Sequence, residues 1–166
     1  MALCIRERIF SWKEAYDVTD ENQKPLYYVK GEFFALGHKI HIYNEKHEEV
    51  AFIKEKVFSF LHKFEIYLNG ELKGTVKEKF SWFHPKYQID FLNAEITGDI
   101  FAWNYQILQN KEPIGVICRK ILSWANVYYL EVPDKKNELA ILALSIAVDA
   151  AHNDDEDAAM ASVYCH

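Results

Sequence analysis

The sequence predicts a mostly β protein: a closed, antiparallel, twelve-stranded barrel around a central hydrophobic C-terminal α-helix. Three observations carry that expectation. A cluster recurs six times along the chain, each copy has the chemistry of a β-hairpin, and an all-round apolar segment follows the last copy.

The repeat is visible first in the tryptophans. Trp12, Trp82, Trp103 and Trp124 each follow a small residue that itself follows a large apolar one, as in Phe10-Ser11-Trp12 and Phe101-Ala102-Trp103. Phe34-Ala35-Leu36 and Phe58-Ser59-Phe60 are two further copies, so the small residue recurs at 11, 35, 59, 81, 102 and 123, in steps of 24, 24, 22, 21 and 21 residues. Within a copy, two apolar runs flank a polar break. Phe33 to Leu36, then Gly37-His38-Lys39, then the alternating Ile40-His41-Ile42-Tyr43 is the second copy, and Val57 to Leu61, His62-Lys63 and Phe64 to Leu68 the third. Period-two alternation rich in Ile, Tyr and Phe is strand chemistry. Polar connections at 20–25, 44–49, 69–71, 93–95 and 109–113 separate the units, and they carry the turn-forming residues.

Six hairpins make twelve strands, and so wide a sheet with an apolar face leaves exposed edges unless it closes. At a strand spacing near 4.8 Å and a tilt near 40°, the barrel radius is about 12 Å. Side chains alone do not fill that interior, whereas an α-helix about 10–12 Å across does. Leu139 to Val148 supplies it, apolar on every side and shorter than the roughly 20 residues needed to cross a bilayer. Asp149, Ala150, Ala151 and His152 are expected to bring the helix out at the far end of the barrel.

With 166 residues, half of them hydrophobic, the chain has material for one domain and one core. Residues 1–152 are read as the barrel domain and 153–166 as a flexible acidic tail. The net charge is −6, of which Asp154, Asp155, Glu156 and Asp157 hold four, leaving −2 for residues 1–153. A nearly neutral body without a dense basic patch argues against nucleic acid as a partner. Cys4, Cys118 and Cys165 have neither redox nor metal spacing, which suits a reducing compartment, and no signal segment is recognised at the N-terminus.

The stretch Gly98 to Ile107, with Phe101-Ala102-Trp103-Asn104-Tyr105 at its centre, the stretch Arg119 to Leu130, with Leu122-Ser123-Trp124-Ala125-Asn126, and the apolar helix ending Val148-Asp149-Ala150-Ala151 resemble the LURP-one-related family. That family shares the tubby C-terminal-like fold with phospholipid scramblases. The resemblance covers residues 1 to about 152 and implies the same barrel around a helix. Its motifs are specific to the fold, which does not itself define an activity. Tubby proteins bind phosphoinositides through basic residues, and scramblases carry an acidic calcium segment before the helix and a cysteine cluster. Neither motif is matched, and Pro133-Asp134-Lys135-Lys136-Asn137 is basic where the calcium segment is acidic. No functional residue is carried over.

Three constellations remain as candidates. His38, His62 and His84 follow the repeat's small residue by three positions and should line one rim, but neighbours two strands apart are separated by roughly 10 Å. Ordinary polar turn positions are therefore preferred over a metal site, and no metal or cofactor is expected. Arg8, Glu32, Lys56, Glu78, Asp99 and Lys120 each precede the small residue by three positions and form a ring of mixed charge. Strict alternation turns them inward, where charges must be paired, and a β-bulge turns them to water. The water-facing reading is preferred. Finally, close basic pairs at Arg6/Arg8, Lys54/Lys56, Lys77/Lys79 and Arg119/Lys120 make a band able to meet lipid phosphates, although acidic neighbours such as Glu7, Glu55 and Glu78 make a mixed-charge face the commoner outcome.

No nucleophile elbow, phosphate loop or His-Glu-x-x-His is present, so no catalytic residue is assigned. The sequence therefore points to a non-enzymatic cytoplasmic binding or scaffold domain, peripheral at a membrane where its partner is a phospholipid headgroup, or engaged with a protein partner. The alternative is an enzyme or small-ligand carrier using a polar pocket at a barrel mouth.

Overall fold

The structure, a computed structural model, describes residues 2–7, 15–34, 37–57, 61–81, 86–100, 102–122 and 125–163. Twelve strands follow in order: β1 (Ala2–Glu7), β2 (Ala15–Thr19), β3 (Pro25–Phe34), β4 (Gly37–Asn44), β5 (Glu49–Glu55), β6 (Lys63–Leu68), β7 (Glu71–Lys79), β8 (Lys86–Ile89), β9 (Ala94–Asp99), β10 (Asn104–Gln109), β11 (Glu112–Leu122) and β12 (Ala125–Glu131). A 3-10 turn (Lys135–Asn137), capped by Asp134 accepting from the Lys136 N–H, leads into the single helix α1 (Glu138–Val163).

All pairings are antiparallel, in the order β8-β7-β6-β5-β4-β3-β2-β1-β12-β11-β10-β9. Because β1 pairs with β12, the two chain ends of the sheet meet inside it, and the remaining edges, β8 and β9, lie side by side. The sheet is thus a nearly closed barrel around one helix, as the repeat predicts.

The expected polar connections all fall between strands, at one end of the barrel, called here the turn end. Gln23, His47, Asn69, Asn93 and Asn110 take positive φ there, a conformation that Asn reaches more readily than most residues. Register shifts at Val18/Thr19, Ile42/Tyr43, Ile66/Tyr67 and Ile107/Leu108 sit just before these turns. They strengthen the local twist that closure requires. A bulge between the charged residue and the aromatic cluster was the expected position, and the observed shifts lie at the opposite end of the strands.

The hairpin break also moves. β3 ends at Phe34, β4 begins at Gly37, and the two residues pair directly, so the chain reverses between them, ahead of the expected break. Gly37-His38-Lys39 is strand, and Lys63 opens β6. The polar break expected from sequence is the first part of the second strand, where inward polar residues line the barrel mouth. This opposite end is the repeat end. Trp103 is buried at 8% exposure and packs 4.6 Å from the Tyr128 ring, as an inward packing layer demands. The corresponding positions Trp12, Leu36, Phe60, Trp82 and Trp124 lie outside the described residues.

Inside, α1 is buried without interruption from Ala140 to Ala151, against strand residues such as Ile42, Ile53, Phe64, Ile66, Ile107 and Ile117. β11 approaches the helix at Gly115, where a Cβ would fall 2.7 Å from Ile141 Cγ2. The Ser145 hydroxyl is satisfied by the Ile141 carbonyl one turn back, at 2.8 Å. Two polar ties fix the helix along the barrel axis. The Tyr27 hydroxyl donates to Glu138 Oε1 at the turn end, at 2.8 Å, and the Tyr16 hydroxyl donates to Asp149 Oδ2 toward the repeat end, at 2.5 Å. The segment expected to emerge, Asp149 to Ala151, is therefore still inside, and helical backbone continues to Val163. Among the described residues, no helix is long and apolar enough to cross a membrane.

Candidate functional site: a lysine wall and a histidine-carboxylate mouth

Strand alternation sorts the charges of β4 to β8 onto two faces, and each face has its own chemistry. Buried Ile40 and Ile42 on β4, Ala51 and Ile53 on β5, Phe64 and Ile66 on β6 and Val76 on β7 define the inward phase. Two residues further toward the repeat end, the same phase brings His38, Glu55, His62 and Glu78 to the inner side of the mouth. The lysines between them point outward.

On the inner side, Glu55 is the organising group. Its Oε1 meets His62 Nδ1 at 2.7 Å, its Oε2 accepts the His38 backbone N–H at 3.0 Å, and His38 Nδ1 lies 3.6 Å from that oxygen. Both imidazoles lie nearly parallel to the Phe64 ring, at centroid distances of 6.5 and 6.4 Å. Burial pushes the Glu55 carboxyl up, but the hydrogen bonds from His62 and the His38 backbone, with the charges of both imidazoles, together hold it below its ordinary value. His38, inside β4, is therefore not a turn position, and His62, directly before β6, meets it at the shared Glu55 carboxylate. His84 lies outside the described residues. Among the described residues, no cluster of His, Cys, Asp or Glu is placed to hold a metal ion.

On the outer side, Lys39 faces Lys54 directly across β4 and β5, Lys63 faces Lys77 across β6 and β7, and Lys79 faces Lys86 across β7 and β8. Lys56 joins them through a 2.9 Å ion pair with Glu65, which also takes a 3.0 Å hydrogen bond from the Tyr67 hydroxyl. Burial acts to raise the Glu65 carboxyl, and these two donors outweigh it and lower the pKa. Directly below the lysines, toward the turn end, runs a row of outer aromatic groups: Tyr28, Tyr43, His41, Phe52 and Tyr67, each 4.8 to 6.3 Å from the next.

The sequence-derived candidates divide accordingly. Lys54, Lys56, Lys77 and Lys79 share this wall, while Glu55 and Glu78, expected to neutralise it, are turned inside. Glu32 faces outward opposite Lys39, 4.0 Å from Lys30. Asp99 is exposed at the end of β9 and accepts the Ala102 N–H at 3.0 Å. The mixed-charge ring is thus not a single layer. Arg119 lies on β11, away from the wall, and follows the inward phase of Ile117 to an exposed position. The backbone of Lys120 lies on β11, its side chain is outside the described residues, and so is Arg8. Lys39, Lys63 and Lys86 complete the wall and were missed. Their signal was a lysine four or five residues after the small residue of each copy, at 35, 59 and 81.

A separate groove of about 850 Å³ crosses the outer face of β1, β2, β3 and β12 near the turn end. Cys4, Arg6, Asp17, Tyr28 and Tyr129 form its floor, and the Lys24–Glu45 ion pair of 2.9 Å links the two turns that wall it. Cys4 and Cys118 are free thiols on either side of Tyr129.

Consecutive hairpins wound around a single buried helix define a helix-in-barrel protein. Residues 1–149 match the LURP-one-related family, and the chain belongs to that family. It is 28% identical over 155 residues to the uncharacterized protein YxjI of Bacillus subtilis (strain 168), a match spanning 93% of this chain and 96% of that protein. An X-ray structure of a protein from Arabidopsis thaliana superposes with a TM-score of 0.59 at 15% identity, covering 89% of this chain and 91% of the other. That similarity concerns the fold alone.

Proposed function

We propose that this protein is a non-enzymatic binding domain that presents the outer wall of β4 to β8 to the anionic phospholipid headgroups of a cytoplasmic membrane face. The observation that carries the reading is the set of directly opposed lysine pairs, Lys39/Lys54, Lys63/Lys77 and Lys79/Lys86. Like charges facing each other across a ladder destabilise it; Glu32 opposite Lys39 and Glu65 opposite Lys54 offset part of that repulsion, and several phosphates on one surface relieve the rest. The aromatic row beside the lysines supplies the amphipathic groups that suit the headgroup region. Unpaired thiols at Cys4 and Cys118 fit a reducing compartment.

Vesicle flotation tests this reading. Binding to phosphatidylserine vesicles at about 0.1 M salt, lost at about 1 M and absent on phosphatidylcholine, is expected, because the Debye length shrinks from about 10 to 3 Å. Lys54→Glu combined with Lys77→Glu should abolish it, and Lys111→Glu at the turn end should not. Equal partition onto neutral vesicles, or none onto any, overturns the proposal.

The groove supports a second reading, a site for a small polar ligand, since its volume lies in the range of ordinary ligand sites. A ligand-induced rise in Tm that Arg6→Ala removes is its test.

A further inference from the structure

The lysine wall ends, at the repeat end, in exposed apolar side chains. Val57 follows Lys56 directly after β5 and is 42% exposed, and Phe80 follows Lys79 directly after β7 and is 67% exposed. Neither fills the interior, which is already occupied by α1 and the inward residues of the strands. Strands β5 and β7 both pair with β6, so the two side chains stand on one rim, separated by about two strand spacings, roughly 10 Å. Each is reached from a lysine on the wall one residue away.

We infer that this rim enters the bilayer: Val57 and Phe80 insert between the headgroups, and Lys54, Lys56, Lys77, Lys79 and Lys86 take the phosphates around them. The inference rests on the anionic-membrane reading above and adds the orientation and depth of docking. Charge complementarity selects the occupant. An apolar tip ringed by cations matches the boundary between acyl chains and anionic headgroups, where lysine stems lie along apolar surface and their ammonium groups remain at the phosphates. The barrel then tilts so that the repeat end of this wall lies deepest and the turn end points away from the membrane. Leu72, at the turn end and 53% exposed, is the internal control, an equally apolar residue that this orientation keeps in water.

The test is insertion of the full chain into a phosphatidylserine monolayer, read as a rise in surface pressure, together with vesicle flotation. The double variant Val57→Asp/Phe80→Asp should lose the pressure rise and bind vesicles on the order of tenfold more weakly. Leu72→Asp should match the parent in both assays. Thermal unfolding reports whether each variant is folded, and Val57→Ser/Phe80→Ser, which introduces no charge, should show the same loss of insertion. If the parent floats with anionic vesicles but the double variant raises surface pressure as well as the parent does, insertion at this rim is refuted and the electrostatic reading stands. If the parent floats with no vesicle, both fall together.

Discussion

Tyr16 on β2 and Asp149 on α1, 133 residues apart in the chain, share a buried hydrogen bond of 2.5 Å that fixes the helix within the barrel. The Asp149 charge also reaches the neighbouring Tyr105 hydroxyl, whose pKa lies well above the phenol range, first through burial and then through that carboxylate. Tyr16→Phe keeps the ring and removes the donor. An expected destabilisation of roughly 1–3 kcal/mol follows from leaving a buried carboxylate oxygen short of a partner. In a chain of this size that amounts to a Tm lower by about 2–4 °C per kcal/mol. Combining Tyr16→Phe with Asp149→Leu should cost less than the sum of the two single changes, and strict additivity in such a cycle would show that the pair does not couple.

The approach of β11 to the helix gives a second prediction. Gly115 is the position where a Cβ meets Ile141 Cγ2 at 2.7 Å, and the methyl of a β-branched side chain has little room to withdraw. Gly115→Ala is expected to destabilise the fold by about 1–3 kcal/mol through overpacking. Gly115→Ala with Ile141→Val, which trims the side chain that is struck but keeps its Cγ2, should recover little. In an Ile141→Ala background, which lacks that methyl, Gly115→Ala should cost less than it does in the parent, although Ile141→Ala is itself destabilising because Ile141 is buried. Denaturant midpoints for the parent and for the single and double variants decide it.

Much of this architecture is legible in the sequence because a repeated hairpin leaves few choices. The spacing from Ser11 to Ser123, with period-two alternation, sets strand number and inward phase, and the Leu139 to Val148 run finds only one environment that suits it. Chain reversal was misplaced by about two residues because His38 and His62 look like turn residues in sequence. They are polar because they line a mouth, and nothing local announces the Glu55 carboxylate that pairs with them from another strand. The lysine wall was half visible. Lys54/Lys56 and Lys77/Lys79 show the i, i+2 spacing of one strand face, but their neutralisation by Glu55 and Glu78 was inferred from proximity along the chain. On a strand, adjacent residues point to opposite faces, and that rule separates those carboxylates from the lysines.

Glu55 makes stability depend on pH in a defined direction. Its folded pKa lies below the ordinary value of 4.5, because the hydrogen bonds to His62 and to the His38 N–H outweigh burial. A depressed carboxylate stabilises the fold above its unfolded pKa, and that contribution is lost as pH falls through the folded value. The Tm difference between the parent and Glu55→Gln should therefore be largest above about pH 4.5 and shrink as the solution is acidified further. A difference that grows on acidification contradicts the assignment of Glu55 as the group held in its charged form.

The continuation of α1 beyond the barrel has an electrostatic consequence for the proposed membrane face. The helix runs from Glu138 at the turn end toward the repeat end, Ala151 is still buried, and the backbone remains helical to Val163. At a rise of about 1.5 Å per residue, Asp154 to Asp157 follow roughly 5–9 Å beyond Ala151, at the end that carries the lysines. That is within a Debye length at physiological salt, so four negative charges lower the attraction of this end for an anionic surface. Replacing them together, as Asp154→Asn, Asp155→Asn, Glu156→Gln and Asp157→Asn, is expected to strengthen binding to phosphatidylserine vesicles several-fold at low salt, each charge near a membrane surface being worth about 1 kcal/mol at most. At about 1 M salt, where the Debye length is near 3 Å, the neutralised and parent chains should bind alike. Flotation across a salt series measures both limits, and equal affinity of the two proteins at low salt would remove the helical extension from any part in membrane docking.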